Sequence, residues 1–202
     1  MPSSIEIGRL LRAGTTGFIA GCSVSQFEAP AFGGLVRAPL GDGYQVYGLI
    51  YDIHIDDDGL VRQLVTADNI SAEVMRDNRE RRIVPVEMSV LSVGFEQDGQ
   101  IRHLLPPRPP LSLDVIYLCD DTELVRFTQA GHFGYFRHIL RAKDAPVGEM
   151  LAAHIQQAAA AQTPQWQAAA VQELITLLRD DYPTLMSVLS ALGDVVRPDA
   201  TG

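Results

Sequence analysis

The sequence predicts an α+β protein: a small closed β-barrel of about six strands, followed by a C-terminal α-helical segment. Three observations carry that expectation. Residues 17–119 hold short runs rich in valine, isoleucine and tyrosine, punctuated by glycine-bearing turns. Four prolines crowd into Pro106–Pro110 around Arg108, just ahead of a last apolar run. Beyond residue 120 the apolar side chains recur at helical instead of alternating spacing. The expected division is a barrel over 1–128 and a helical part over 129–202.

Taken in order, Gly17–Val24 (GFIAGCSV) reads as a strand bounded by glycine. Gly33–Leu40 is a second, closed by Gly41-Asp42-Gly43. Gln45–Ile55 alternates, with Val46, Gly48, Ile50, Asp52 and His54 on one face and Tyr47, Leu49, Tyr51, Ile53 and Ile55 on the other. Asp58-Gly59 suits a tight hairpin turn, because both central residues tolerate positive φ. Leu60–Thr66 is the expected return strand. Glu73–Arg82 (EVMRDNRERR) is polar and reads as a short helix or loop. Strands resume at Val84–Glu96, turn at Gln97-Asp98-Gly99, and pair back through Ile101–Leu105.

Proline cannot donate to a sheet ladder, so Pro106–Pro110 is no central strand. It is expected to be a stiff connector crossing the barrel end; the functional alternative is a polyproline ligand for an aromatic groove. Asp114–Cys119 is the last strand. Asp121-Thr122-Glu123-Leu124 opens a short helix, and Phe133–Arg141 forms another. Val147–Ala161 presents Val147, Met150, Leu151, His154, Ile155 and Ala158 at helical spacing. Thr163-Pro164 is an N-cap with proline at the first helical position. It opens Gln165–Asp180, whose apolar face is Val171, Leu174, Ile175, Leu177 and Leu178. Pro183 opens the final helix, carrying Leu185, Val188, Leu189, Leu192 and Val195.

The formal net charge is −9, from 16 basic and 25 acidic side chains, which disfavours general binding of nucleic acid. No apolar run approaches the roughly 20 residues that span a bilayer, and the N-terminus lacks a signal-peptide core. A cytoplasmic protein without membrane insertion is expected. Lys143 is the only lysine, in Arg141-Ala142-Lys143-Asp144 with no glycine-rich approach. A P-loop needs a lysine after its second glycine, so ATPase chemistry of that type is excluded. As a Schiff-base lysine, Lys143 lies among charges where nothing obviously depresses its pKa. Cys22 and Cys119 are too far apart for a disulfide framework or a zinc motif. They read as buried small hydrophobes, with a thiol nucleophile as the sharper alternative.

Asp52, His54 and Asp56 share a strand face and are plausible metal-ligand types. Strand geometry spreads them over about 13 Å, too wide for one ion, and a solvated outer face explains them better. Arg76, Arg79, Arg81 and Arg82 form the one basic cluster, a candidate docking patch for an acidic partner or a phosphate. Pairing with Asp77 and Glu80 in a solvated loop is the alternative. His154 falls on an apolar helix face and reads as a satisfied core histidine. His132 and His138 flank Phe133, Tyr135 and Phe136, an aromatic group expected to seal the helices onto the barrel. No GxSxG, HExxH, GxGxxG or paired CxxC occurs, and no cofactor is called for.

Residues 8–127 resemble the HAS barrel, the N-terminal β-barrel of HerA-type DNA-translocating ATPases and of rotary ATP synthase catalytic subunits. The resemblance rests on Gly17-Phe18-Ile19-Ala20-Gly21-Cys22-Ser23, on Tyr47-Gly48-Leu49-Ile50-Tyr51-Asp52-Ile53, and on the proline-led Pro109-Pro110-Leu111-Ser112-Leu113-Asp114-Val115-Ile116-Tyr117-Leu118. It implies a scaffold that packs barrels into a crown or docks a partner, and it supplies no catalytic residues. Where that family's ATPase core would begin, this chain has alanine-rich helices. The expectation is a non-enzymatic interaction module, with a protein partner or as a homo-oligomer, that joins or regulates a larger complex such as an ATPase. The alternatives are an accessory protein of nucleic-acid processing, or an enzyme whose site assembles from distant residues such as Cys119, Asp52 and His54.

Overall fold

The computed structural model describes residues 5–25, 30–55 and 83–196, with the side chains of 23–25, 83–84 and 194–196 excepted. Seven strands form: β1 (Ile5–Ala13), β2 (Gly17–Ser25), β3 (Leu35–Gly41), β4 (Tyr44–Ile55), β5 (Ile83–Gln97), β6 (Gln100–Arg102) and β7 (Val115–Leu118). All pairings are antiparallel. The order β2-β1-β7-β3-β4-β5 closes on itself through β2–β5, giving a six-stranded barrel, and β6 extends β5 outside the ring. Closure removes every free edge from those six strands. The protein is therefore of the α+β class that the sequence predicts.

Two hairpins turn through Asp-Gly. Asp42-Gly43 joins β3 to β4 at φ 50° and 68°, and Asp98-Gly99 joins β5 to β6 at φ 53° and 78°. Both pairs meet the positive-φ demand of a type I′ turn. The hairpin expected at Asp58-Gly59, the strand Leu60–Thr66 and the segment Glu73–Arg82 lie outside the described residues.

Strand β1 is one the apolar pattern does not announce. Its register shifts twice, between Glu6 and Gly8 against β7 and between Leu10 and Arg12 against β2. The buried residues Ile7 and Leu10 are consequently three apart, which breaks a two-residue period. A bulge between Ile50 and Asp52 likewise corrects the expected alternation of β4. Beyond it Ile53 packs toward the barrel interior, while Asp52 and His54 are exposed.

Two cores share β4. Val46 and Ile50 face the barrel interior with Leu10, Met88 and Ile116. Tyr47 and Leu49, on the opposite face, lie under the helices. Gly48 lies at the tightest point between them: a Cβ there would come within 2.3 Å of the Val90 side chain.

The helices are α1 (Asp121–Gln129), α2 (Phe136–Leu140), α3 (Val147–Ala161), α4 (Pro164–Leu177) and α5 (Tyr182–Val196), with a 3₁₀ turn at Ala130–Phe133. A capping box starts α1: the Asp120 carboxylate accepts from the Glu123 amide, and Glu123 accepts from the Asp120 amide. Thr163 caps α4 with Pro164 at its first position, as the sequence predicts. The buried face of α4, however, is Trp166, Ala170 and Leu174, continued by Leu178. Ile175 and Leu177, expected on the apolar face, are exposed. Val171 and Leu178 pack on the core as expected, and Trp166 and Ala170 complete the buried face. No described helix is long and apolar enough to cross a membrane.

Candidate functional site

An aromatic chain fastens the helices to the barrel. Tyr47 of β4 meets Phe127 of α1 at 4.8 Å, Phe127 meets Tyr135 at 5.3 Å, and Tyr135 meets Phe136 at 4.8 Å. Phe133 then bridges Phe136 and Trp166. Burying each such ring contributes about 1.5–3 kcal/mol. The expected aromatic seal is thus present.

Several polar groups in this seam satisfy one another, although the Trp166 indole nitrogen and His103 Nδ1 are buried without a partner. Glu96 of β5 receives hydrogen bonds from Gln45 (2.6 Å), Tyr47 (2.8 Å) and both terminal nitrogens of Arg126 (2.9 and 2.6 Å). Burial alone would raise the Glu96 carboxyl, but these donors hold it below its ordinary value. Burial, then the adjacent Glu96, pushes the Tyr47 phenol up. His154 donates from Nδ1 to the Gly33 carbonyl (3.3 Å) and accepts at Nε2 from the Tyr135 hydroxyl (3.1 Å). That pair of bonds fixes the neutral tautomer, and burial pulls its pKa down to about 4. His154 is the satisfied core histidine that its helical position suggests. Gly33, at φ 79°, lets this part of the barrel approach α3, since a Cβ would sit 2.8 Å from that of Ala153. These groups join the helices to the barrel.

Among the described residues the sequence-derived candidates do not gather into one site. Asp52 and His54 lie exposed on the outside of β4, and Asp56 is outside the described residues. Among the described residues no three histidine, cysteine or carboxylate side chains gather as a metal site. Burial raises Cys119 well above the ordinary thiol value, with Glu123 adding to it, and burial raises Cys22. A nucleophilic thiolate is disfavoured at both. Arg76, Arg79, Arg81 and Arg82 also lie outside the described residues.

Two surface features remain: the connector that the prolines signal, with a leucine turn that they do not, and a cavity assembled from distant stretches. The first is the connector from β6 to β7. It runs without strand pairing, as the prolines require, and bends at Leu104, Pro107 and Arg108. Tyr44 pins it, donating its hydroxyl to the Arg108 carbonyl (3.0 Å) while the Arg108 guanidinium lies over the Tyr44 ring. It ends in a turn in which Asp114 accepts from the Leu111 amide (2.7 Å) and the Asp114 amide donates to the Leu111 carbonyl. Leu113 holds φ 74° there, a position that favours glycine, and its side chain is 71% exposed. Leu111 is 68% exposed, and Leu104 and Leu105 also stand in solvent. The turn is fixed to β1: the Leu113 amide donates to the Leu10 carbonyl, and Ser112 Oγ to the Leu11 carbonyl.

The second is a cavity of about 690 Å³ between the β1–β2 turn, the middle of β4 and β5, and the α2–α3 loop. Its buried lining includes Phe18, Val90 and Ser92, and its exposed lining includes Arg12, Arg141 and Lys143. His138 also lines it; burial, then the charges of Arg137 and Arg141, lowers its pKa, although its Nε2 donates to the His103 carbonyl.

Compared with known proteins, the chain matches no family model and no curated sequence.

Proposed function

We propose that this chain is a non-catalytic interaction module: a HAS-like barrel, capped by helices, that docks a protein partner and so joins or regulates a larger assembly. One observation carries the reading. An exposed leucine, Leu113, occupies a left-handed backbone position in a turn tied down by hydrogen bonds. A leucine there costs roughly 1 kcal/mol or more relative to glycine, and a residue 71% exposed returns little to the fold. Strain of this kind concentrates at functional sites. With Leu111 and Leu11, Leu113 makes an apolar surface flanked by the exposed Arg9 and Arg108. Its occupant is a partner protein with an apolar groove and acidic groups at the rim. The closed barrel fits the HAS resemblance, in which such barrels serve as docking scaffolds.

A tagged chain is recovered gently from its native host alongside two variants. The double variant Leu111→Asp/Leu113→Asp is expected to lose a partner that the wild type retains. Leu177→Asp, on the exposed side of α4, is expected to keep it. Recovery of the wild type alone, or of the same partner with the double variant, overturns the proposal. Light scattering on the purified chain separates self-association from a different partner.

A further inference from the structure

We propose that the cavity between the barrel and the α2–α3 loop binds a small amphiphilic anion, a carboxylate or phosphate head on an apolar body, with Arg12, Arg141 and Lys143 holding the head. This surface is separate from the leucine turn, and the proposal does not rest on the docking reading.

The charge pattern around the cavity opposes that of the chain. The chain as a whole carries −9, yet the exposed groups lining this cavity include two arginines and the chain's single lysine, against one carboxylate, Asp144. Among the described residues none of these three cations forms an ion pair. Cations from two distant parts of the chain, the end of β1 and the α2–α3 loop, converge where the sequence alone gives no basic cluster. The general acidity of the surface repels polyanions and leaves this local field to a small ligand.

The lining suits an apolar body. Phe18, Ile19, Tyr51, Val90 and Leu91 supply apolar walls, and the volume is that of a site for a small organic molecule. Ser92 also lines the cavity; it is fully buried, and its hydroxyl has no hydrogen-bond partner. A buried hydroxyl without a partner is costly in a fold and is explained when a ligand supplies the bond. Its backbone amide is satisfied by the Thr16 carbonyl, so the hydroxyl alone is left over.

The test uses the full chain and two probes of one body: 8-anilinonaphthalene-1-sulfonate, which carries an anionic head, and N-phenyl-1-naphthylamine, which does not. At neutral pH and low salt the sulfonate is expected to bind at least about tenfold more tightly than the neutral probe. Octanoate or octyl phosphate should displace it and 1-octanol should not; the better competitor identifies the head group. Arg12→Gln/Arg141→Gln/Lys143→Gln, all exposed positions, should lower the sulfonate's affinity about tenfold or more without changing the melting temperature. Ser92→Val provides an independent check: the variant is expected to be at least as stable as the wild type and to bind the sulfonate more weakly. Equal affinity for both probes, displacement by 1-octanol as well as by the anions, or unchanged binding in the triple variant would overturn the proposal.

Discussion

His154 makes the native protein sensitive to mild acid, and the size of the effect follows from its surroundings. The imidazole is fully buried, bonded only to the Gly33 carbonyl and the Tyr135 hydroxyl, and its pKa falls from 6.5 to about 4. A protonated ring would keep the Gly33 bond but turn its second N–H against a hydroxyl now forced to accept, in a site with no counter-ion. The unfolded chain takes up a proton near pH 6.5, and the folded chain does so only near pH 4. Stability is therefore full above pH 6.5 and falls as pH drops toward 4. Linkage from these two values gives a loss of roughly 2.4 kcal/mol between pH 7 and pH 4.5 from this residue alone. His103, also lowered to about 4 by burial, and Glu96, held low by its donors, act in the same direction. The residue's own share is isolated by urea denaturation of the wild type and His154→Leu at both pH values. The variant is less stable at pH 7, having lost both hydrogen bonds, but should lose about 2 kcal/mol less on acidification. An NMR titration placing the native imidazole near 6.5, or equal acid losses in both proteins, would refute the reasoning.

Further outcomes are expected from the seam and the core. Glu96→Ala removes the acceptor of four hydrogen bonds, but the Arg126 side chain is 47% exposed and regains water. The expected cost in chemical denaturation is therefore about 2–3 kcal/mol, below the 3–5 kcal/mol typical of breaking a fully buried ion pair. Gly33→Ala places a methyl 2.8 Å from the Ala153 Cβ at φ 79°. Strain and overpacking together should cost about 2–4 kcal/mol, read as a lowered melting temperature. Cys119 should react with iodoacetamide at pH 8 at least about a hundredfold more slowly than a free thiol; a comparable rate would reopen the nucleophile reading.

The barrel was legible where strands border Asp-Gly turns, as at β4 and β5, and where β4 keeps the two-residue period as far as its bulge between Ile50 and Asp52. It was hidden at β1, where two register shifts separate the buried residues by three. The face of α4 was legible in part: Val171, Leu174 and Leu178 pack on the core as expected, whereas Ile175 and Leu177 are exposed and the buried Trp166 and Ala170 complete the face. His154 was readable from its helical position, although its partners Gly33 and Tyr135 lie far apart in sequence. Of the two surface features, the connector was legible from its prolines, but its leucine turn and the cavity were not. The cavity draws Arg12, Ser92 and Arg141 from three separate stretches, and no local spacing links them. The strain at Leu113 is a backbone property, and a Ser-Leu pair in the sequence does not announce a turn that favours glycine.

The docking account is tested most directly by Leu113→Gly, measured for stability by urea denaturation and for affinity to the partner recovered from the host. Glycine suits φ 74° and removes a side chain that is 71% exposed. The account predicts a chain more stable by about 0.5–1 kcal/mol, after allowing for glycine's greater unfolded-state entropy, that binds its partner about tenfold more weakly. A variant no more stable than the wild type that binds the partner equally well would contradict it.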